Sequence, residues 1–154
     1  MIRRAEEKDI TAIMDLLYQV AKVHNIARPD LFKDGGTKYT PDELRELLSD
    51  KTHHIFVYEE DGKVLAHLFA VLIDDSGDTV LTDKKTLYID DICVDKDNRG
   101  KHIASALYDF ATEYAKELGC YNLTLNVWAG NDPAMEFYKS RGMDIQKYGM
   151  EVIL

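Results

Sequence analysis

The chain has 154 residues, 45% of them hydrophobic, which suits one compact domain over 1–154 with a sizeable core. A formal charge of -9 and a sequence pI of about 5.0 argue against a nucleic-acid surface, which would need a basic patch that no stretch supplies. No apolar run approaches the roughly 20 residues of a membrane span, and the opening MIRRAEEKDI breaks into charges instead of forming a signal-peptide core, so no membrane partner and a cytoplasmic location are expected.

After a short extended start at Met1 to Arg4, Asp9 is a candidate N-cap for a helix in which Ile10, Ile13, Met14, Leu17, Val20 and Ala21 recur at helical spacing. Residues 25 to 39 carry Pro29, Gly35 and Gly36 without periodicity. Thr40, Pro41 and Glu43 then combine an N-cap, a first-turn proline and a capping-box glutamate, and predict a short helix to about Asp50. His54 to Tyr58 and Val64 to Ile73 read as two strands joined by the hairpin turn Asp61-Gly62. The segment 74 to 85, with four aspartates, is a polar loop. Thr86 to Val94 is a β-branched and aromatic strand interrupted by Asp90-Asp91.

Ile103, Leu107, Phe110 or Ala111, Tyr114 and Leu118 define a long amphipathic helix ending at Gly119. Leu123, Leu125 and Val127 alternate with polar residues as a strand, Asp132-Pro133 caps and starts a further helix, and Ile145 to Leu154 is expected to be mostly extended. The order is mixed α/β, and the strand, helix, strand unit over 86–127 implies a parallel crossover. Cys93 and Cys120 lack CxxC or zinc-ligand spacing and read as buried thiols. His53 and His54, adjacent on a strand, point to opposite faces and make a poor metal pair, so no metal is expected.

The junction NRGKHIASAL, residues 98 to 107, joins a strand to the first turn of a helix, where unpaired N–H groups sit at the positive end of the dipole. Gly100 lets the backbone approach an anion closely, Arg99 and Lys101 add charge, and Ala104 and Ser105 keep the next turn slim. That chemistry suits a pyrophosphate, although an exposed basic turn would look the same, and neither a P-loop nor GxGxxG is present. The stretch resembles motif A of the Gcn5-related N-acetyltransferase (GNAT) family, R/Q-x-x-G-x-G/A, with Arg99 in the first place and Ala104 in the last. His102 stands where the family has its central glycine. A helical conformation is expected there, with only the N–H of His102 used and its imidazole turned outward.

A second segment, Asn131 to Tyr138 followed by Arg141-Gly142-Met143, is similar to the family's N-x-x-A-x-x-F-Y helix and the turn after it. The resemblance extends to the opening IRRAEEKD, the 54 to 73 hairpin and the last strand. It implies a three-layer α+β sandwich with a mainly antiparallel mixed sheet, helices on both faces, and a parallel pair of strands, 86–94 and 122–127, that splay apart. It also implies acetyl-CoA as co-substrate. The cofactor would be held by backbone groups of Ile92, Cys93 and Val94, by the loop and first turn at Arg99, Gly100, Lys101, His102, Ile103, Ala104 and Ser105, and by Asn131, Ala134, Phe137 and Tyr138.

N-acetyl transfer needs an unprotonated amine, whose pKa when alkylated is about 10.4 as in lysine, and a proton for the departing thiolate. The resemblance makes Tyr138 the general acid. YIDDICV is similar to the Y-x-E/D-D-x-x-V of polyamine-type acetyltransferases, which favours Asp90 as base and leaves Asp91 structural or substrate-binding; capping of a loop or pairing with Arg99 or Lys101 is the plain alternative. On strand alternation only one of the two aspartates faces the reaction unless a bulge intervenes. The acidic loop 74 to 83 and the two aspartates favour a small cationic amine as acceptor, by direct transfer without an acetyl-cysteine. Transfer to a protein or peptide amine, and a non-catalytic module that senses acetyl-CoA, are the rival readings. The apolar last strands make a homodimer a candidate assembly.

Overall fold

The computed structural model describes residues 1–154. In chain order the elements are β1 (Ile2–Arg4), α1 (Ile10–Ala27), α2 (Pro41–Ser49), β2 (His53–Glu60), β3 (Lys63–Asp74), β4 (Lys85–Val94), α3 (Ile103–Glu117), β5 (Asn122–Leu125) and α4 (Asp132–Ser140), with 3-10 turns at Glu7–Asp9 and Lys96–Asn98. The strands form one sheet in the order β1-β2-β3-β4-β5, antiparallel except for the parallel pair β4/β5. β3 lies in the middle, and Ala66 to Ala70 are all buried because both of its faces are covered.

One face packs on α1 and α2, where Ile13, Leu17 and Leu44 meet Ile55, Val57 and Phe69. On the other, Ile103, Leu107 and Ala111 of α3 meet Phe56, Ala66, Leu68 and Ile89. These are the three layers that the resemblance implied. Local chemistry explains the ends of several elements. The Thr40 hydroxyl accepts the Glu43 N–H at 3.2 Å as the N-cap of α2. Asp61 and Gly62 both take positive φ, 50° and 75°, as a two-residue hairpin requires. Gly119, at φ 74°, ends α3 in a left-handed turn in which Cys120 N–H reaches the Ala115 carbonyl at 2.9 Å.

Four sequence expectations are corrected. Asp9 makes no capping bond to α1; its buried carboxylate is taken by the Arg3 guanidinium, with Nη1 to Oδ2 at 2.7 Å and Nη2 to Oδ1 at 2.9 Å. That bond holds the Asp9 carboxyl below its ordinary range and ties β1 to the start of α1. Asn131, not Asp132, is the N-cap of α4. β5 stops at Leu125 rather than Val127, and Asn126 turns its amide to the Tyr88 hydroxyl at 3.1 Å. Residues 145 to 154 form no strand: no ladder partner lies beside them, and Tyr148, Met150, Val152, Ile153 and Leu154 are exposed. The Arg28–Glu151 ion pair, 2.5 Å, is the contact that ties this tail to the rest of the chain.

The acidic loop after β3 lies at the end of the sheet where Asp74 pairs with Lys85, whereas Asp90 and Asp91 lie near the middle of β4. Its carboxylates are used locally: Asp74 accepts Ser76 N–H, Asp83 accepts Gly77 N–H, and Asp78 accepts the N–H groups of Val80 and Leu81. The loop therefore shapes its own turn and offers no support for a cationic acceptor.

Candidate active site

The site is built where β4 runs on past β5. The two strands pair from Thr86↔Asn122 to Ile89↔Leu125, after which Asp90 to Val94 keep β3 on one side and have no strand on the other. The unpaired edge offers backbone donors and acceptors of the spacing an extended amide-containing arm needs. Ile92 and Val94 turn their side chains to the α3 layer. Cys93 turns to α1, where its buried thiol donates to the Leu16 carbonyl at 3.3 Å. Burial pushes that thiol up to about 12, so it stays protonated and unreactive at neutral pH.

Beyond Val94 the chain reaches α3 through residues 95 to 102. Asp95 is tied to α1 by Gln19 Nε2 at 2.8 Å and Lys96 N–H by Gln19 Oε1 at 2.8 Å, which fixes the approach to the helix. Gly100 has φ +79°, and a Cβ there would meet nothing within 4 Å, so the glycine is needed for conformation and leaves open space above it. Arg99 Nε lies 3.3 Å from the Val94 carbonyl, and Lys101 Nζ 2.7 Å from Asn98 Oδ1.

His102 departs from expectation: it is not helical but sits at φ 61°, ψ 17°, in the left-handed region, as the residue before α3. Its side chain is exposed, as expected, and makes no capping bond. The first intrahelical bond runs from Ala106 N–H to the His102 carbonyl, which leaves the N–H groups of Ile103, Ala104 and Ser105 for an anion. Ile103 itself is core, so it can contribute only its backbone. A left-handed L-residue costs about 1 kcal/mol. His102→Gly is therefore expected to raise stability by about that amount, read as a higher urea midpoint, and a lower midpoint would show that the imidazole gives more than the strain removes.

The two aspartates resolve differently from simple alternation. Phe69 pairs with Asp91 and the next residue, Ala70, with Ile89, so Asp90 is the extra residue of a β-bulge. The bulge turns Asp90 and Asp91 to the same side, the face of α1 and α2, while Ile89 and Ile92 both stay on the α3 face. Asp90 is then fully occupied: Lys38 Nζ lies 2.6 Å from Oδ1, and the Tyr39 hydroxyl donates to Oδ2 at 2.8 Å. Burial, and then the bond to Asp90, push the Tyr39 phenol upward. Neither Arg99 nor Lys101 pairs with these carboxylates. Asp91 Oδ2 is 2.5 Å from Nε2 of His67, which is completely buried on β3.

Tyr138 stands half-buried on α4, its ring 6.1 Å from that of Tyr108 on α3 and 5.1 Å from that of Phe137. Burial, reinforced by the negative charge of Asp91, pushes its phenol up to about 12. Asn131 accepts the Ala134 N–H at 3.4 Å and starts α4, and Phe137 packs edge-on to Tyr108 at 6.3 Å. Asn131, Ala134 and Phe137 thus hold α4 and its tyrosine in place.

In the family, residues 24 to 40 usually form the wall opposite, and sequence reasoning named none of its side chains. His24 near the end of α1 lies 5.0 Å from the Phe32 ring, which meets Trp128 after β5 edge-on at 5.3 Å. Burial lowers the His24 imidazole against an upward pull from Asp91, so it stands neutral close to that carboxylate. The segment 28–39 is therefore clamped at both ends, by Phe32 on Trp128 and by Lys38 and Tyr39 on Asp90. A single histidine within the apolar run VLAHLFAV was the visible signal for His67; nothing comparable marked Lys38 or His24. No group of three or more His, Cys, Asp or Glu side chains is placed to hold a metal.

A parallel pair in which β4 runs on past β5, beside a helix start with free amides, is the arrangement of an acyl-CoA transferase fold. Residues 20–143 match the acetyltransferase (GNAT) family, and the chain belongs to it. It is 36% identical over 89 residues to an uncharacterised N-acetyltransferase of Methanocaldococcus jannaschii, covering 58% of this chain and 38% of that protein. It is 29% identical over 98 residues to a candidate ribosomal protein bS18-alanine N-acetyltransferase of Bacillus subtilis, covering 64% and 58%. The matched segments thus span less than two thirds of these curated relatives. The crystal structure of a mutant of the BH1408 protein from Bacillus halodurans superposes with a TM-score of 0.94 at 28% identity, over 100% of this chain and 99% of that one.

Proposed function

We propose that residues 1–154 act as one acetyltransferase domain that moves an acetyl group from acetyl-CoA directly to a primary amine, with a small cationic amine as acceptor. The observation that carries this reading is the bulge, which turns Asp90 and Asp91 together toward one face, next to the unpaired end of β4. The cofactor fits the chain: the amides of Ile103, Ala104 and Ser105, with Arg99, Gly100 and Lys101, suit its pyrophosphate, and the backbone of Ile92, Cys93 and Val94 suits its pantetheine arm. When bound, acetyl-CoA supplies an activated thioester and a leaving thiol. Asp91 takes the proton of the acceptor ammonium, and Tyr138 holds its own proton for the thiolate. Asp90, bound to Lys38 and Tyr39, holds segment 28–39 over the cleft instead of serving as the base. The buried, protonated Cys93 supports transfer without an acetyl-cysteine.

A second reading, transfer to a protein or peptide amine, is favoured by the Bacillus subtilis relative. A non-catalytic sensor would need neither Asp91 nor Tyr138. The free thiols of Cys93 and Cys120 fit a reducing cytoplasm, and no helix is long and apolar enough to cross a membrane. The exposed apolar tail from Tyr148 to Leu154 supports a homodimer in which a second copy covers it.

Calorimetric titration with acetyl-CoA, with ATP as control, tests the cofactor. Micromolar binding of acetyl-CoA alone is expected, on the order of -8 kcal/mol, and no binding would sink the reading. Thiol release with spermidine, ethylenediamine, kanamycin and an alanine-led peptide then separates the acceptors. Turnover of the peptide alone would favour the second reading; binding without any turnover would favour the sensor.

A further inference from the structure

His67 is the one completely buried histidine, and its Nδ1 is the one buried side-chain polar atom without a hydrogen-bond partner. It lies on β3 opposite Cys93 in register, with the Phe69 ring 4.8 Å away. On a core strand, a phenylalanine or leucine would fill this place without leaving an orphaned nitrogen. What the imidazole supplies is a single donor to Asp91, Nε2 to Oδ2 at 2.5 Å, on a carboxylate whose other oxygen has no protein donor. Lys38 and Tyr39, the other donors in this region, are both spent on Asp90.

We propose that His67 is the positioning residue of the reaction: its Nε2–H holds Oδ2 of Asp91 and so confines the transferable proton to Oδ1. The inference rests on the acetyl-transfer reading above. The unpartnered Nδ1 sets the tautomer. A hydrogen there would be a buried N–H with no acceptor, so the ring carries its hydrogen on Nε2. It therefore faces Asp91 as a donor. When Oδ1 takes the proton of the acceptor ammonium, the N–H bond breaks, its electron pair remains on nitrogen as the nucleophilic lone pair, and an O–H bond forms. Oδ2, then the carbonyl oxygen of the acid, still accepts from Nε2–H. The bond therefore survives both charge states, and the proton returns to solvent from Oδ1 without passing into the core.

The groups that bear on this pair are Cys93 beside His67, His24 from α1, Lys38, Tyr39 and Asp90 from the clamped segment and the bulge, and Tyr138 from α4. Imidazole nitrogen spectra should show the hydrogen on Nε2; a hydrogen on Nδ1 would overturn the assignment. In acetyl transfer to the panel amine that the wild type uses best, His67→Phe keeps the fold's volume and is expected to lower kcat roughly 100-fold. The KM for acetyl-CoA should not change. His67→Gln, whose amide can donate from nearly the same point, should restore most of the rate. Undiminished kcat in His67→Phe, or a glutamine no better than the phenylalanine, would refute the positioning role. A wild type that binds acetyl-CoA but acetylates no amine would instead refute the acetyl-transfer reading.

Discussion

Tyr138→Phe is expected to lower kcat by about 100-fold, or roughly 2.7 kcal/mol of barrier, and to leave acetyl-CoA affinity within a few-fold. The ring is held by Tyr108 and Phe137 through its faces and edges, contacts that phenylalanine keeps. Its hydroxyl also makes no hydrogen bond within the protein, so the substitution orphans no partner and stability should not change. The sign of the pH effect follows from the raised phenol. With its proton retained up to about 12, Tyr138 is in the donating form throughout the neutral range, so loss of that proton should cause no fall in rate below about pH 9. Burial and the Asp91 charge are the causes, so Asp91→Asn should bring the phenol down, which its ultraviolet titration would show. Unchanged turnover in Tyr138→Phe would remove it as the proton donor.

The two aspartates should separate by more than an order of magnitude. Asp91→Asn is expected to cost roughly 1,000-fold in kcat, because an amide cannot take the ammonium proton. The variant should still fold, since the amide oxygen can accept from His67. Asp90→Asn keeps an acceptor for Tyr39 but loses the charge that draws Lys38, so segment 28–39 loosens while the proton acceptor remains. Its effect should fall on the KM for the amine, by about 10-fold, with kcat nearly kept. Steady-state kinetics of both variants with one amine decides the matter. The opposite order, with Asp90→Asn nearly dead and Asp91→Asn active, would return the role to Asp90.

The parts of the fold that sequence could reveal are those set by local chemistry. Asp61-Gly62 forces its turn, Thr40 its cap, and the spacing of Ile103, Leu107 and Ala111 its helix face, each with no help from distant residues. What could not be read depends on partners far along the chain. Asp9 has the residue type of a cap, but Arg3 claims it once β1 has paired with β2. Strand alternation separates Asp90 from Asp91, and only the β3 register shows that one residue is inserted there. His102 was expected to follow its helical neighbours, whereas the loop geometry holds it in the left-handed form that the family's glycine adopts freely. The turn at 98–105 could be read because it is one continuous stretch of backbone and small residues; the contacts of His24, Phe32, Lys38 and Trp128 could not, because they converge from three separate segments.

The inserted residue in β4 also bears on how such a protein can diversify. Position 90 has no partner across the ladder, so exchanging its side chain leaves the pairs on either side in register. Its neighbour at 91 pairs with Phe69 across the ladder and takes the hydrogen bond from His67. Two adjacent codons are thus under unequal constraint. On the proposed mechanism, a lineage that changes Asp90 together with Lys38 would alter which amines pass beneath the covering segment, one compensated step at a time, while Asp91 beside it is carried forward unaltered.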